Sequence, residues 1–180
     1  SIVGNTLLNQ TIKNADVNTP AQVLNFLNTE LPKNLKQQQE GEEIRDGMDM
    51  TICAINFKNN ILYFAGANNC IYIARNNELI ELKGDKQAIS GSTDYEKTPF
   101  TDYLYVLEKN DVIYMLTDGY ADQFGGPKGK KFKHKQLEHL LLDIYELPMP
   151  EQQKILDDKF EEWRGTQEQV DDVTVIGVRI

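Results

Sequence analysis

Two stretches decide how this chain folds: Asp111-Val112-Ile113-Tyr114-Met115-Leu116-Thr117-Asp118-Gly119, and Asp171-Asp172-Val173-Thr174-Val175-Ile176-Gly177-Val178 near the end. Each apolar run reads as a buried strand, and each has a carboxylate at one end. A strand holds such a carboxylate rigidly, so it can serve a site. Asp118 and Asp171, if neighbouring strands bring them together, form a pair of hard oxygen ligands suited to Mg²⁺ or Mn²⁺ rather than zinc. Asp-Gly and Asp-Asp are also common in turns, so spacing alone leaves a plain turn reading equally open.

Working back from the first stretch, residues 48–107 read as a run of antiparallel strands. Met50 to Phe57 turns at Lys58-Asn59-Asn60 into Ile61 to Ala65. Ala65-Gly66-Ala67-Asn68-Asn69 breaks the pattern, Cys70 to Arg75 resumes it, and Asn76-Asn77 turns into Leu79 to Leu82. Tyr103 to Leu107 and Asp111 to Thr117 are expected to pair as a hairpin through Glu108-Lys109-Asn110.

Ahead of the strands, Ile2, Val3, Leu7, Leu8 and Ile12 give a helical pattern over residues 2–14. Thr19-Pro20 is a cap with proline at the first helical position, followed by the apolar face Val23, Leu24, Leu27 and Leu31. Residues 32–45 are polar and read as a fraying helix end and a loop. Beyond the first stretch, 120–133 reads as a mobile surface loop rich in Gly and Lys. His134 to Tyr145 and Glu151 to Trp163 are amphipathic helices divided by Pro148 and Pro150. Helices, a strand block, then helices and a last strand make an α+β order, not alternating α/β.

A chain of 180 residues with 40% hydrophobic and 9% aromatic content reads as one globular domain. Its net charge of −9 argues against nucleic-acid binding and membrane-surface attachment. The apolar runs are all too short to span a bilayer. Cys53 and Cys70 lie in strand-like runs, so reduced core thiols and a cytoplasmic location are expected.

Other candidate motifs are weaker. Gly125-Gly126-Pro127-Lys128-Gly129-Lys130-Lys131 lacks the spacing of a phosphate loop, and Lys131 fills the Ser/Thr position. It reads either as a solvated loop or as a patch in which Lys128, Lys130 and Lys131 receive an anionic substrate. Asp46-Gly47-Met48-Asp49 is too short for a calcium loop and reads as a turn into a strand, with Asp49 facing outward. His134 and His139 diverge on one helix and make a poor metal pair. Asp122 and Glu168 read as single solvated acids.

Taken in order, five segments resemble the phosphatase domain of stage II sporulation protein E-like proteins, within the PPM-type metal-dependent serine/threonine phosphatases. They are Asp46-Gly47-Met48-Asp49-Met50, Ala65-Gly66-Ala67-Asn68-Asn69, Lys109-Asn110-Asp111-Val112-Ile113-Tyr114, the run from Thr117 to Gly126, and Val170-Asp171-Asp172-Val173-Thr174-Val175. The resemblance implies an α-β-β-α sandwich holding two Mn²⁺ or Mg²⁺ ions that activate water for attack on a phosphoserine or phosphothreonine. It implies that Asp118 and Asp171 are metal ligands, that Asp172 is a structural neighbour, and that Gly119 permits a tight turn. It also implies a phosphorylated regulatory protein as substrate, such as an anti-sigma-factor antagonist, and an upstream sensor domain that can be membrane-anchored. The alternative is a phosphatase-like binding module that recognises a signalling partner without hydrolysis.

In that family an earlier strand pair carries an Asp-Gly metal motif, and a Gly-His-Gly-type turn leads into the first helix. This chain opens at Ser1-Ile2-Val3-Gly4-Asn5, already within the helical pattern. It therefore reads as a single domain, 1–180, lacking its first strands. Weak metal binding and little activity are expected of it, and unpaired sheet edges that invite a homodimer.

Overall fold

In the computed structural model, the described residues are 2–12, 17–36, 47–90 and 98–180. The chain begins with helices α1 (Ile2–Ile12) and α2 (Pro20–Lys36). Strands follow: β1 (Gly47–Met48), β2 (Met50–Asn56), β3 (Ile61–Ala67), β4 (Cys70–Arg75), β5 (Glu78–Lys83), β6 (Ile89–Ser90), β7 (Tyr103–Val106) and β8 (Val112–Leu116). Next come α3 (Gly119–Asp122), β9 (Phe124–Gly125), β10 (Lys130–Lys131), α4 (His134–Ile144), α5 (Met149–Arg164) and β11 (Val175–Arg179). These elements form two compact units, residues 1–70 with 83–107 and residues 71–82 with 108–180.

In the first unit, α2 starts where the sequence demands. The Thr19 hydroxyl accepts the Gln22 N–H at 3.3 Å, and the Gln22 side chain accepts the Thr19 N–H at 3.1 Å. This reciprocal capping box satisfies donors that the first helical turn leaves free. The Asp102 carboxylate accepts the Ala21 N–H at 2.8 Å, placing negative charge at the positive end of the helix. Leu24, Leu27 and Leu31 then bury against Leu7, Ala65, Ala67 and Ile89. Beneath them β2, β3 and β7 form an antiparallel sheet in the order β2-β3-β7. With Ile52 opposite Ala65 and Met50 opposite Ala67, alternate residues turn toward the helices, while Leu62 and Phe64 bury on the other face.

Strand β3 runs to Ala67, two residues beyond the expected break. Small residues are required there: a Cβ on Gly84 would stand 2.6 Å from the Gly66 Cα. The same contact is closed by the Asp85 N–H on the Gly66 carbonyl and the Asn68 N–H on the Asp85 carbonyl, both 2.9 Å. Asp49 is exposed and accepts from the Asn68 amide at 3.0 Å. Asp46 and most of the polar stretch 32–45 lie outside the described residues; Pro32 to Lys36 continue α2.

The second unit is built on a sheet of order β11-β8-β4-β5. Leu116 pairs with Val175 and Tyr114 with Gly177, while Tyr72 lies opposite Tyr114 on the other side. Helices α4 and α5 cover this face. The Tyr72 hydroxyl reaches Glu138 at 3.2 Å, the Tyr114 hydroxyl donates to Gln152 at 2.7 Å, and Met149 lies over Gly177. Aromatic edges at Tyr120, Phe132, Phe160 and Trp163 fill the end nearest α3.

Two expectations are corrected. Strands β7 and β8 do not pair as a hairpin: β7 pairs with β3, and β8 lies between β4 and β11. The turn itself redirects the chain. Asp111, 1% exposed, accepts the Glu108 N–H at 2.7 Å and two hydrogen bonds from Arg75 of β4. Its carbonyl accepts the Ile180 N–H, and the Asn110 N–H donates to the Ile180 carbonyl, both at 2.9 Å. The segment 120–133 is not a loop throughout either. It folds as α3 and a small hairpin of β9 and β10, anchored by buried Tyr120, Gln123, Gly125 and Phe132, with Phe124 and the lysines exposed. Among the described residues, no helix is long and apolar enough to cross a membrane.

Candidate functional site

At the end of β8 the chain is stitched to the segment entering β11. The Thr117 N–H donates to the Thr174 carbonyl at 3.0 Å. The Thr117 hydroxyl donates to the Asp172 carbonyl at 2.8 Å and accepts the Thr174 N–H at 2.9 Å. One hydroxyl thereby serves as donor and acceptor across two chain segments. Gly119 completes the contact, since a Cβ there would fall 2.5 Å from the Asp172 carbonyl oxygen. Asp118 and Asp171 thus stand on backbone segments in direct contact, at one edge of the sheet.

Asp118 occupies the position before α3 with φ −70° and makes no capping bond to the helix. It is exposed, as are Asp171 and Asp172. The Asp171 carboxylate accepts the Asp172 N–H at 2.7 Å, and the Asp171 carbonyl accepts from the Gln169 side chain at 2.8 Å. These are solvated acids on backbone segments that the Thr117 bonds join.

Lys128 and Lys130 are exposed on the β9–β10 hairpin. Lys131 pairs with Asp122 at 2.7 Å, so Asp122, read from sequence as a single acid, has a partner. Glu168 enters the fold through its backbone carbonyl, which accepts from Gln123 at 2.9 Å. His134 and His139 are exposed. The two cysteines form no disulfide, and burial pushes the Cys53 thiol up to about 12.

The kind of donor at this edge fits a hard divalent cation. The number is short: among the described residues, no three His, Cys, Asp or Glu side chains come together to hold one. No reaction step through a metal follows from these residues alone. Two cavities of about 780 and 900 Å³ open in the second unit, neither lined by Asp118 or Asp171. Gln169 and Val173, which flank the Asp171-Asp172 step, line the larger one.

Thr117 was missed in the sequence reading. The available signal was a hydroxyl at a strand end beside an Asp-Gly step, a place where side-chain bonds to backbone are common.

The profile of the stage II sporulation protein E (SpoIIE) family matches residues 4–180. No curated protein matches the sequence. Among solved structures, the chain is similar to the SiaA-PP2C domain of Pseudomonas aeruginosa at 24% identity, with a TM-score of 0.87 over 99% of this chain and 68% of that one. It is similar to the PP2C phosphatase domain and regulatory-domain fragment of SpoIIE from Bacillus subtilis at 16% identity, with a TM-score of 0.72 over 100% of this chain and 49% of that one. It is similar also to the catalytic domain of the serine/threonine phosphatase PstP in complex with two manganese ions, at 18% identity, with a TM-score of 0.62 over 98% of this chain and 80% of that one. The fold is that of PPM-type phosphatases, and with a family profile spanning nearly its whole length the chain belongs to the SpoIIE family.

Proposed function

We propose that this chain is part of a metal-dependent serine/threonine phosphatase domain acting on a phosphorylated regulatory protein in bacterial signalling. One observation carries the reading: the stitch from Thr117 to Asp172 and Thr174 joins the backbone segments that bear Asp118 and Asp171. In this reading Asp118 and Asp171 are ligands to Mn²⁺ or Mg²⁺, with further ligands from outside the described residues. The bound ions would supply a low-pKa water and neutralise phosphoryl oxygens. The chain's own part is to hold two carboxylates at fixed separation. Thr117 locks the strand end, and Gly119 lets the Asp172 carbonyl approach without a clash. Lys128 and Lys130 offer cationic charge to a phosphorylated, acidic partner, such as an anti-sigma-factor antagonist.

The full-length protein tests this by p-nitrophenyl phosphate hydrolysis across a Mn²⁺ titration. Asp118→Asn and Asp171→Asn are each expected to lower turnover about 100-fold or more, as loss of a metal's charge partner does. Turnover unchanged in both variants would remove these residues from the site. The alternative reading is a binding module without hydrolysis. It predicts retention of the phosphoprotein with no Asp118-dependent turnover at any Mn²⁺ concentration.

A further inference from the structure

Gln123 is a buried glutamine, 0% exposed, one residue beyond α3. Its side-chain nitrogen donates to the Phe124 and Glu168 carbonyls, each at 2.9 Å, and its side-chain oxygen accepts the Val170 N–H at 3.4 Å. Its own carbonyl accepts the Phe132 N–H at 2.9 Å and the Trp163 indole N–H at 3.1 Å. A primary amide is the one neutral side chain that supplies two donors and an acceptor together, and every one is taken here. The residue therefore ties three things: the helix that follows Asp118, the aromatic packing of Phe132 and Trp163, and the Glu168–Val170 segment that delivers Asp171.

We propose that Gln123 is a positioning residue that fixes the Asp171-Asp172 segment against the Asp118-bearing turn. For its purpose this rests on the phosphatase reading above; its physical content, the clamp, does not. The stitch at Thr117 holds the β11 side of the Asp171-Asp172 step, and Gln123 holds the other side. Without the amide, the exposed residues from Glu168 to Asp171 lose their side-chain anchor at Gln123, keeping the Gln169 bond to the Asp171 carbonyl and the close approach of Gly119. An apolar replacement takes from the Phe124 and Glu168 carbonyls and the Val170 N–H the partner that Gln123 supplies, a cost the segment reduces by moving into water. The second cavity, lined by Gln169 and Val173, gives it room to do so.

Amide hydrogen exchange on the 180-residue chain reads the clamp directly. Gln123→Met should lower protection of the Val170, Asp172 and Thr174 amides about ten-fold or more, the effect of losing buried hydrogen bonds in a local opening. Gln152 provides the control, being 1% exposed with the same three-bond inventory, to Tyr145, Leu147 and Tyr114 in the same unit. Gln152→Met should destabilise the unit and leave those three amides within about two-fold of the wild type, measured under conditions where local opening dominates. Gln123→Glu adds a chemical check. Ionised, it presents only acceptors to the Phe124 and Glu168 carbonyls; protonated, it regains one donor. Its protection factors should recover below the carboxylate's titration and fall above it. Unchanged protection in Gln123→Met, equal loss in Gln152→Met, or a Gln123→Glu chain indifferent to pH would each overturn the clamp. Broadening of the Asp118 and Asp171 amides by Mn²⁺ in the wild-type chain reports separately on the metal reading. The metal reading itself stands or falls on the Asp118→Asn and Asp171→Asn turnover described above, and exchange alone decides on Gln123.

Discussion

Gly119 and Asp111 carry the sharpest consequences of a single side chain. A methyl on Gly119 meets a backbone carbonyl oxygen rather than a flexible side chain, so the contact can be relieved only by parting the Asp118 and Asp172 segments. Gly119→Ala is expected to cost about 1–3 kcal/mol, the usual scale of a forced overpacking, measured by urea unfolding. Gly129 is the comparison. Its φ of +56° strains any side chain, but nothing stands within 4 Å of a Cβ there. Gly129→Ala should therefore cost only about 1 kcal/mol and leave the acidic edge untouched. Asp111 is a different case, a carboxylate 1% exposed that is held by Arg75 at 2.8 and 2.5 Å. Removing the Asp111 carboxylate takes two bonds from the Arg75 guanidinium, which keeps Glu108 at 2.7 Å, and leaves the Glu108 N–H without that acceptor. Asp111→Ala should cost about 3–5 kcal/mol, against at most about 1 kcal/mol for the exposed Lys131–Asp122 pair. Similar losses for Asp111→Ala and Asp122→Ala would show that burial does not set the difference.

At the scale of elements, the sequence was legible wherever a periodic pattern had a strong boundary. The Thr19-Pro20 cap located α2, alternation located β2 and β3, and Pro148 separated α4 from α5. The reading failed at two places, for different physical reasons. Local turn chemistry at Glu108-Lys109-Asn110 looked like a hairpin because pairing partners far apart in sequence are invisible to a short-range signal. Arg75 and Ile180 decide that Asp111 opens a strand in another sheet. At 120–133, glycines were read as flexibility when two of them are packing positions. Cβ atoms on Gly125 and Gly126 would fall 1.8 Å from the Trp163 carbonyl oxygen and 2.7 Å from its ring. Of the candidate site, the two acids could be read as types beside apolar runs, although β11 begins only at Val175, beyond the expected Val173, whereas Thr117 and Gln123, which join their segments, make bonds that depend on tertiary placement. The hairpin also separates binding from stability. Replacing Lys128, Lys130 and Lys131 with alanine should change urea stability by less than about 1 kcal/mol, since all three are exposed. If they receive a phosphoprotein, the same change should raise KM for that substrate at low salt and lose its effect at high salt. A KM indifferent to these lysines at low ionic strength would end that role.

Across the molecule, each unit contains its own reporter of alkaline stress. Burial pushes the Cys53 thiol of the first unit from 9.0 to about 12. In the second unit burial raises the hydroxyls of Tyr114 and Tyr120, opposed at Tyr114 by Arg179 and reinforced at Tyr120 by Asp157. The sign follows from proton counts. Above pH 9 an unfolded chain releases the Cys53 proton while the folded chain keeps it, so the unfolded state binds fewer protons and stability falls as pH rises. The stability these groups contribute is complete below their unfolded values and is lost through the interval up to the folded ones. The tyrosine hydroxyls also donate, Tyr114 to Gln152 and Tyr120 to the Leu156 carbonyl at 2.8 Å, so ionisation would break bonds as well as bury charge. Unfolding midpoints in urea should therefore decline steadily from pH 9 upward. At least two of the eight tyrosines should stay silent in a phenolate absorbance titration until their unit unfolds. Cys53 should resist alkylation at pH 8 in the folded chain and react once urea opens the first unit. Full phenolate titration at pH values where circular dichroism still reports a folded chain would mean that Tyr114 and Tyr120 are not held in the interior.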